Sequence, residues 1–460
     1  MAMTRAYDPA TRAGLTFHDV VAAFRAGSDD PVAYLERCLA TIAQREPVVR
    51  AWVVVNEAGA REAAARSAAR WRAGAPLSPV DGMPIGIKDL IETRDLPTQM
   101  GCQAFAGNFP RRDSPLVRAL REAGAVILGK VTTAELGGAY PPATTNPFDP
   151  RRTPGGSSSG SGAAVGADMV PVAIGTQVGG SVIRPASYCA NWALKPTFGA
   201  LNRGERLGYS HSVIGVHANS AADLWAVAMQ IARRAGGDPG QPGLFGPLDT
   251  PPPVRPQRLV LMQTAGYASL DEATRAAFER VVAAVEALGV QVLRRSDAPE
   301  IERFEAALAD AAAINADITA FEQRWSIANI ADVNPDGLSR HSHRKLEKGR
   351  ALSVDDYRRR LAERDDLRCR HAALAPLGDA LLSLSSPGPA PVADPEAARP
   401  TGSAVFNYAS SLLGAPAVTV PLLGIRGLPC GIQLMGQPHG DARVLGVGRW
   451  LADTVGPVSA

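Results

Sequence analysis

Residues 155–186 read GGSSSGSGAAVGADMVPVAIGTQVGGSVIRPA, two Gly/Ser clusters around a short apolar middle, residues 163–175. Glycine lets the backbone take positive φ and lets main-chain N–H groups come close to a ligand. Serine adds a hydroxyl that is donor, acceptor or, once activated, nucleophile. A flexible linker is also rich in Gly and Ser, but it holds no β-branched apolar run between its glycines. The stretch reads as a site.

Three motifs are eliminated in turn. Gly155 and Gly160 have the outer spacing of a phosphate-binding loop, yet Ser161-Gly162 stands where Lys-Ser/Thr is required. A dinucleotide fingerprint starting at Gly160 fails because Val165 takes the third glycine position. Gly156-Ser157-Ser158-Ser159-Gly160 has the form G-x-S-x-G, which needs a strand directly before it. Residues 146–154, NPFDPRRTP, are instead a turn-rich loop.

What remains resembles the amidase signature family of serine hydrolases. The resemblance rests on Gly155-Gly156-Ser157-Ser158, on Gly175-Thr176-Gln177-Val178-Gly179-Gly180-Ser181, and on an upstream lysine in Gly86-Ile87-Lys88-Asp89. Ser157 and Ser181 are 24 residues apart and Lys88 lies 69 before Ser157, offsets ordinary for that family. The likeness runs over about half the chain. It implies a Ser181 nucleophile, a bridging Ser157 preceded by a non-proline cis peptide bond, and a buried Lys88 as base. It also implies an oxyanion site formed by the N–H groups of Val178, Gly179, Gly180 and Ser181, and no cofactor. Gln177 departs from the aspartate often found there, and Arg184 stands one place later than in the commonest pattern.

Each residue also has a plainer reading. Ser181 by itself fits a helix N-cap as well as a nucleophile, and only the paired motif separates the two. Ser157 is one of several loop serines, with Ser158, Ser159 and Ser161 as neighbours; the Gly155-Gly156 pair sets the register that favours it. Lys88 could snorkel from a strand end, but its strand is apolar. No motif places any of the seven histidines, and His211 and His217 read as structural or exposed. His341 and His343 fall in a basic stretch, residues 340–348, read as a solvated loop face.

Working outward, Met83, Ile85 and Ile87 alternate with Pro84, Gly86 and Lys88, the period of a strand. Helices are expected over residues 30–44, 57–72, 115–124, 163–167, 220–233 and 271–288. Strands are expected over 51–55, 125–129, 170–174, 259–262 and 290–293, and residues 193–197 close the recognisable core. This alternation points to an α/β fold, a central mixed sheet covered by helices on both faces. Residues 236–256, rich in Pro and Gly, read as a surface excursion, and 300–375 as a variable helical cap over the site mouth. Residues 406–407, 414–421 and 427–436 resemble the family's C-terminal strands, whose return to the sheet implies one domain with a core about 75–235 and 400–455.

The 460 residues carry a net charge of +3, which gives no sign of nucleic-acid or membrane partners. Residues 1–12 hold no apolar stretch of the signal-peptide kind, and no run of 18 apolar residues occurs. Cys38, Cys102, Cys189, Cys369 and Cys430 are scattered, odd in number and free of metal-ligand spacing, as expected of reduced thiols in a cytoplasmic protein. The expectation is a monomeric or homodimeric amidohydrolase that cleaves a small-molecule amide or carbamate through a serine acyl-enzyme. A main activity on esters or carbamates, the amidase subunit of a glutamine-dependent tRNA amidotransferase, and a scaffold that has lost the chemistry are the alternatives. Tyr140, Gln177 and Tyr209 are the substrate-binding candidates. A pocket built from residues 137–143 and 209–216, which carry few charges, is expected to prefer uncharged acyl groups.

Overall fold

The computed structural model describes residues 6–205 and 209–460, so the first five residues of the 1–12 segment lie outside the described residues. The described residues build one mixed 12-stranded sheet. Its strands are β1 Trp52–Val55, β2 Pro84–Lys88, β3 Val126–Val131, β4 Val172–Gln177, β5 Trp192–Lys195 and β6 Val213–Ala218. They continue with β7 Arg258–Leu261, β8 Gln291–Leu293, β9 Ala380–Leu384, β10 Ala417–Ile425, β11 Leu428–Met435 and β12 Val458–Ser459. The order across the sheet is β1-β3-β2-β4-β6-β5-β10-β11-β9-β7-β8, with β12 beside β10. Strands from both ends of the sequence thus share one layer and one domain.

The placement of β2 matters most. It runs parallel to both neighbours, with Ile85 opposite Ile127 of β3 and Ile87 opposite Ile174 of β4. A strand inside a parallel block is covered on both faces, and all five residues of β2 are buried. Because β2 and β4 are parallel, Lys88 and Thr176 leave the sheet at the same edge. Ligand sites of α/β sheets form outside the carboxyl ends of such strands.

Alternate residues feed opposite faces. Ile85, Ile127, Ile174, Leu194 and Ile432 pack with Trp225 and Phe278 of the helices Ala221–Ala235 and Glu272–Ala287. Val126, Leu128 and Ala173 pack with Leu35, Ala60 and Ala163 of the helices Pro31–Val49, Glu57–Arg72 and Ser159–Gly166. These helices start where their caps direct. Asp30 accepts from the N–H groups of Val32 and Ala33 with Pro31 as first helical residue, and Asn56, Ser220 and Asp271 accept from Gly59, Asp223 and Thr274 N–H. A third apolar cluster joins Phe304, Ile314, Ile318 and Leu367 of the cap helices Pro299–Ala307, Ala311–Val333 and Val354–Ala372 to Val260 and Leu381 on the sheet. No helix among the described residues is long and apolar enough to cross a membrane.

Two local expectations are corrected and one strand is added. The helix placed at 163–167 begins at Ser159, inside the serine cluster. Ser159 Oγ satisfies itself on Gly155 O, 2.8 Å, and Gly160 fits because a Cβ there would meet Thr132 N at 2.3 Å and Ala51 O at 2.4 Å. Tight packing overrides the weak helix propensity of Gly and Ser. The basic stretch 340–348 is not a loop but part of the helix Arg340–Ala351, started by Ser339 Oγ, which accepts from Ser342 N–H. Strand β9 has no counterpart in the sequence reading, because five apolar-rich residues before Ser385-Ser386-Pro387 carry no periodicity of their own.

Candidate active site

Lys88 ends β2 with its side chain wholly inaccessible. Its Nζ lies 2.8 Å from Ser157 Oγ, 2.8 Å from Thr176 Oγ1, 3.0 Å from Ser158 Oγ and 3.4 Å from Thr176 O. All four neighbours are neutral oxygens, so no carboxylate favours the ammonium form. Burial alone drives the amine well below the ordinary lysine range. A neutral amine has two N–H donors and one lone pair, which matches Thr176 Oγ1 and Ser158 Oγ as acceptors and the Ser157 hydroxyl as donor.

The hydroxyls of the serine cluster divide by their partners. Ser158 Oγ donates to Thr176 O at 3.1 Å, Ser159 Oγ to Gly155 O at 2.8 Å, and Ser161 Oγ to Ile174 O at 2.9 Å. These three tie the loop to the backbone. Ser157 differs: among the described residues its hydroxyl meets the Lys88 amine and no backbone carbonyl, and the Gly156–Ser157 peptide bond is cis. Arg184, buried, donates from its guanidinium to Gly156 O at 2.5 Å and Thr401 Oγ1 at 3.0 Å, which fixes the carbonyl just before Ser157.

Ser181 stands four residues beyond the end of β4, in a turn rather than at the strand end itself. It is not an N-cap. The helix Ile183–Tyr188 has Val182 in that position with no side-chain cap. Gln177 does that work, its Oε1 accepting from the N–H groups of Val182 and Ile183 at 2.9 and 3.1 Å while its Nε2 donates to Ser411 Oγ at 3.1 Å. The turn is held from outside as well, by Asn315 Nδ2 donating to Val178 O at 2.9 Å and by Ser411 Oγ donating to Gly179 O at 2.9 Å. With their carbonyls held, the N–H groups of Val178, Gly179, Gly180 and Ser181 have no protein acceptor among the described residues. A turn with unsatisfied donors suits an oxyanion. The two serine clusters are joined through the backbone, where Ser158 N–H donates to Ser181 O at 3.3 Å.

Above the turn opens a cavity of about 390 Å³ with Ser181 in its floor. Residues 137–139 form one wall, as expected, but residues 209–216 do not line it. The opposite wall comes from the cap: Asn315, Thr319 and Gln323 follow one another along a face of the Ala311–Val333 helix, and His341, Ser342 and Lys345 share a face of the Arg340–Ala351 helix. Tyr140, Gln177 and Tyr209 stand outside this lining. Tyr140 is exposed with its ring 5.7 Å from that of His341, Gln177 is sealed beneath the turn, and Tyr209 lies beside Glu322 against the cap. His211 is structural in the sense expected, but close to the site: buried, pushed down to about 3 by burial, its Nε2 accepts from Asn315 Nδ2 at 3.0 Å. His217 is likewise buried, behind Gly175.

Asn315, Lys345 and Arg399 belong to the site and escape sequence reasoning, as does Thr176 as a partner of Lys88. Thr176 sits within a quoted motif, and the parallel pairing of β2 with β4 is the signal that finds it. The cap residues carry no motif. Among the described residues, no group of three or more His, Cys, Asp or Glu is placed to hold a metal ion.

A family model described as Amidase matches residues 33–445. The glutamyl-tRNA(Gln) amidotransferase of Chloroflexus aurantiacus has an A subunit that is 33% identical, over 94% of this chain and 95% of that protein. The corresponding protein of Thermus thermophilus is 30% identical, over 93% and 94%. Among solved structures, the peptide amidase of Stenotrophomonas maltophilia superposes with a TM-score of 0.81 at 26% identity, covering 98% of this chain and 99% of that one.

Proposed function

This chain belongs to the amidase family, and from that premise we propose that it hydrolyses a non-peptide carbon–nitrogen bond through an acyl-enzyme on Ser181. The observation that supports this most is the Lys88 amine, fully buried, without a carboxylate, and 2.8 Å from Ser157. Neutral Lys88 takes a proton from Ser157 as Ser157 takes one from Ser181, whose oxygen bonds to the substrate carbonyl carbon. The N–H groups of the 178–181 turn receive the negative charge on the carbonyl oxygen. Ser157 then passes a proton to the departing amine, the C–N bond breaks, and water repeats the sequence to release the acid. Esters and carbamates fit the same steps, since only the carbonyl substituents differ.

A second reading follows from the full-length likeness to the amidotransferase proteins: a component that delivers ammonia to a partner chain. The two readings part on one experiment. Purified chain alone, given a simple anilide and a primary amide, releases amine or ammonia if it is a hydrolase. Activity seen only with a second chain and glutamine supports the amidotransferase reading instead.

A further inference from the structure

The charges around the cavity are one-sided. Arg184, Lys345 and Arg399 line it with positive charge, His341 beside them is held towards its neutral form by burial and by Arg340 and Arg344, and no Asp or Glu lines it among the described residues. The nearby carboxylates are committed elsewhere. Glu135 accepts from Ser339 N–H and Ser342 Oγ, Glu396 pairs with Arg340, Asp317 holds Lys348 and Arg360, and Glu322 accepts from Ser210 N–H and Tyr357 Oη. Two of the three cations are also in use, Arg184 on Gly156 O and Thr401 Oγ1, Arg399 on Ser403 Oγ.

Lys345 is different. It makes no hydrogen bond or ion pair with any described residue, although Glu322 lies near enough to favour its charge. Burial pushes its amine down to about 8, which leaves it mainly protonated at neutral pH. An unpaired ammonium in a partly dry cavity is costly unless something arrives to pair with it. It sits on the cap wall, while the nucleophile sits in the floor supplied by the sheet. A ligand that spans both brings its carbonyl to one and an anion to the other.

We propose that the cavity selects amides that carry a carboxylate and no ammonium group, with Lys345 as the residue that holds the carboxylate. This rests on the hydrolase reading for its reacting carbonyl, and it narrows that reading to one substrate class. A zwitterion such as glutamine brings a cation for which the lining offers no counter-charge, and it stands on the disfavoured side. The carboxylate can belong to the acyl part or to the amine part, since both place one anion away from the carbonyl.

The test compares glutaramate (carboxylate on the acyl side), N-pentanoylglycine (carboxylate on the amine side), pentanamide and glutamine as substrates. Wild-type kcat/KM is expected to be at least about tenfold higher for one of the two carboxylates than for pentanamide or glutamine, the scale of a charge-assisted hydrogen bond. Lys345→Met should collapse that ratio mainly through KM, and Lys345→Arg should restore part of it. A wild-type preference for pentanamide or glutamine overturns the proposal, as does a Lys345→Met enzyme whose preference is intact. Thermal shift of Ser181→Ala by the same four compounds separates binding from chemistry. If wild type hydrolyses none, yet a carboxylate amide stabilises Ser181→Ala and fails to stabilise Ser181→Ala/Lys345→Met, the hydrolytic reading falls while the anion site stands. If no carboxylate amide shifts Ser181→Ala, the anion site falls.

Discussion

The two halves of the cavity are built on opposite principles. The sheet side ends in buried strands whose polar groups are paired with one another and with the backbone: Lys88, Ser157, Ser158, Thr176 and Gln177 each meet neighbours at 2.8–3.4 Å. The cap side is a set of charged helices tied by partly exposed ion pairs, such as Lys348 and Arg360 on Asp317. One half fixes a reacting geometry and tolerates little change. The other presents side chains on helix faces, so a replacement there is expected to alter the wall more than the fold. In the proposed reading, chemistry and selectivity are carried by different stretches of the chain.

The largest effect that can break this division is expected on the sheet side. Ser181→Ala should abolish acyl-enzyme formation, and Lys88→Ala should cost nearly as much, on the order of 10⁴-fold or more in kcat, because groups that act as a unit are not additive. Ser157→Ala should keep slightly more activity, with water in place of the hydroxyl. Lys88→Met separates lost chemistry from lost fold. A lysine with a depressed folded pKa binds fewer protons folded than unfolded, so below the ordinary value of about 10.4 its burial costs stability. Lys88→Met should therefore be inactive with a Tm at pH 7 equal to or above wild type, and a sharp fall in Tm would show Lys88 to be structural.

Next comes the buried pair Lys130–Asp89, 3.1 Å apart and inaccessible, its carboxylate directly after Lys88 in the chain. Lys130→Ala leaves a buried carboxylate unpaired and should cost about 3–5 kcal/mol in denaturant unfolding. Gln177→Ala strips two N–H groups of their acceptor and should cost about 1–3 kcal/mol. It should also lower kcat more than it raises KM, because the oxyanion turn loosens. On the cap, Arg303→Ala removes an exposed pair with Glu300, 2.9 Å. It should change stability by less than about 1 kcal/mol and leave turnover alone. A cap pair that proved worth as much as Lys130–Asp89 would erase the distinction.

The same contrast explains what can be read in the sequence. Gly155 to Ser181 and Lys88 are legible because key positions answer to a backbone demand: Gly160 where a Cβ would strike Thr132, serines that close on carbonyls, and Lys88 at the end of an apolar strand. Helix starts at Asp30, Asn56, Ser220 and Asp271 are legible because caps act locally. The cavity wall is not. His341 and Lys345 sit in a charged stretch whose pattern suits a solvated surface, and only the packing of that helix against Ala311–Val333 turns one face inward. Tyr140 and Tyr209 are aromatic residues close to the motifs, but nearness in sequence does not fix which side of a wall a ring occupies. Gln177 stands out in the sequence as a departure from pattern, and its hydrogen bonds show it bracing the turn that carries Ser181.

The central claim is that Lys88 works as a buried neutral base on Ser181 through Ser157. The most direct measurement is the rate at which a fluorophosphonate labels Ser181, located by peptide mass mapping, as a function of pH. The probe itself does not titrate, so the profile reports the protein. Since the neutral amine is the active form and burial lowers its pKa, labelling should already be fast well below the ordinary lysine range. It should be lost as pH falls through the depressed value, and be nearly absent at all pH in Lys88→Met. Labelling that rises only near the ordinary lysine pKa of about 10.4, or an adduct on a residue other than Ser181, would contradict the account.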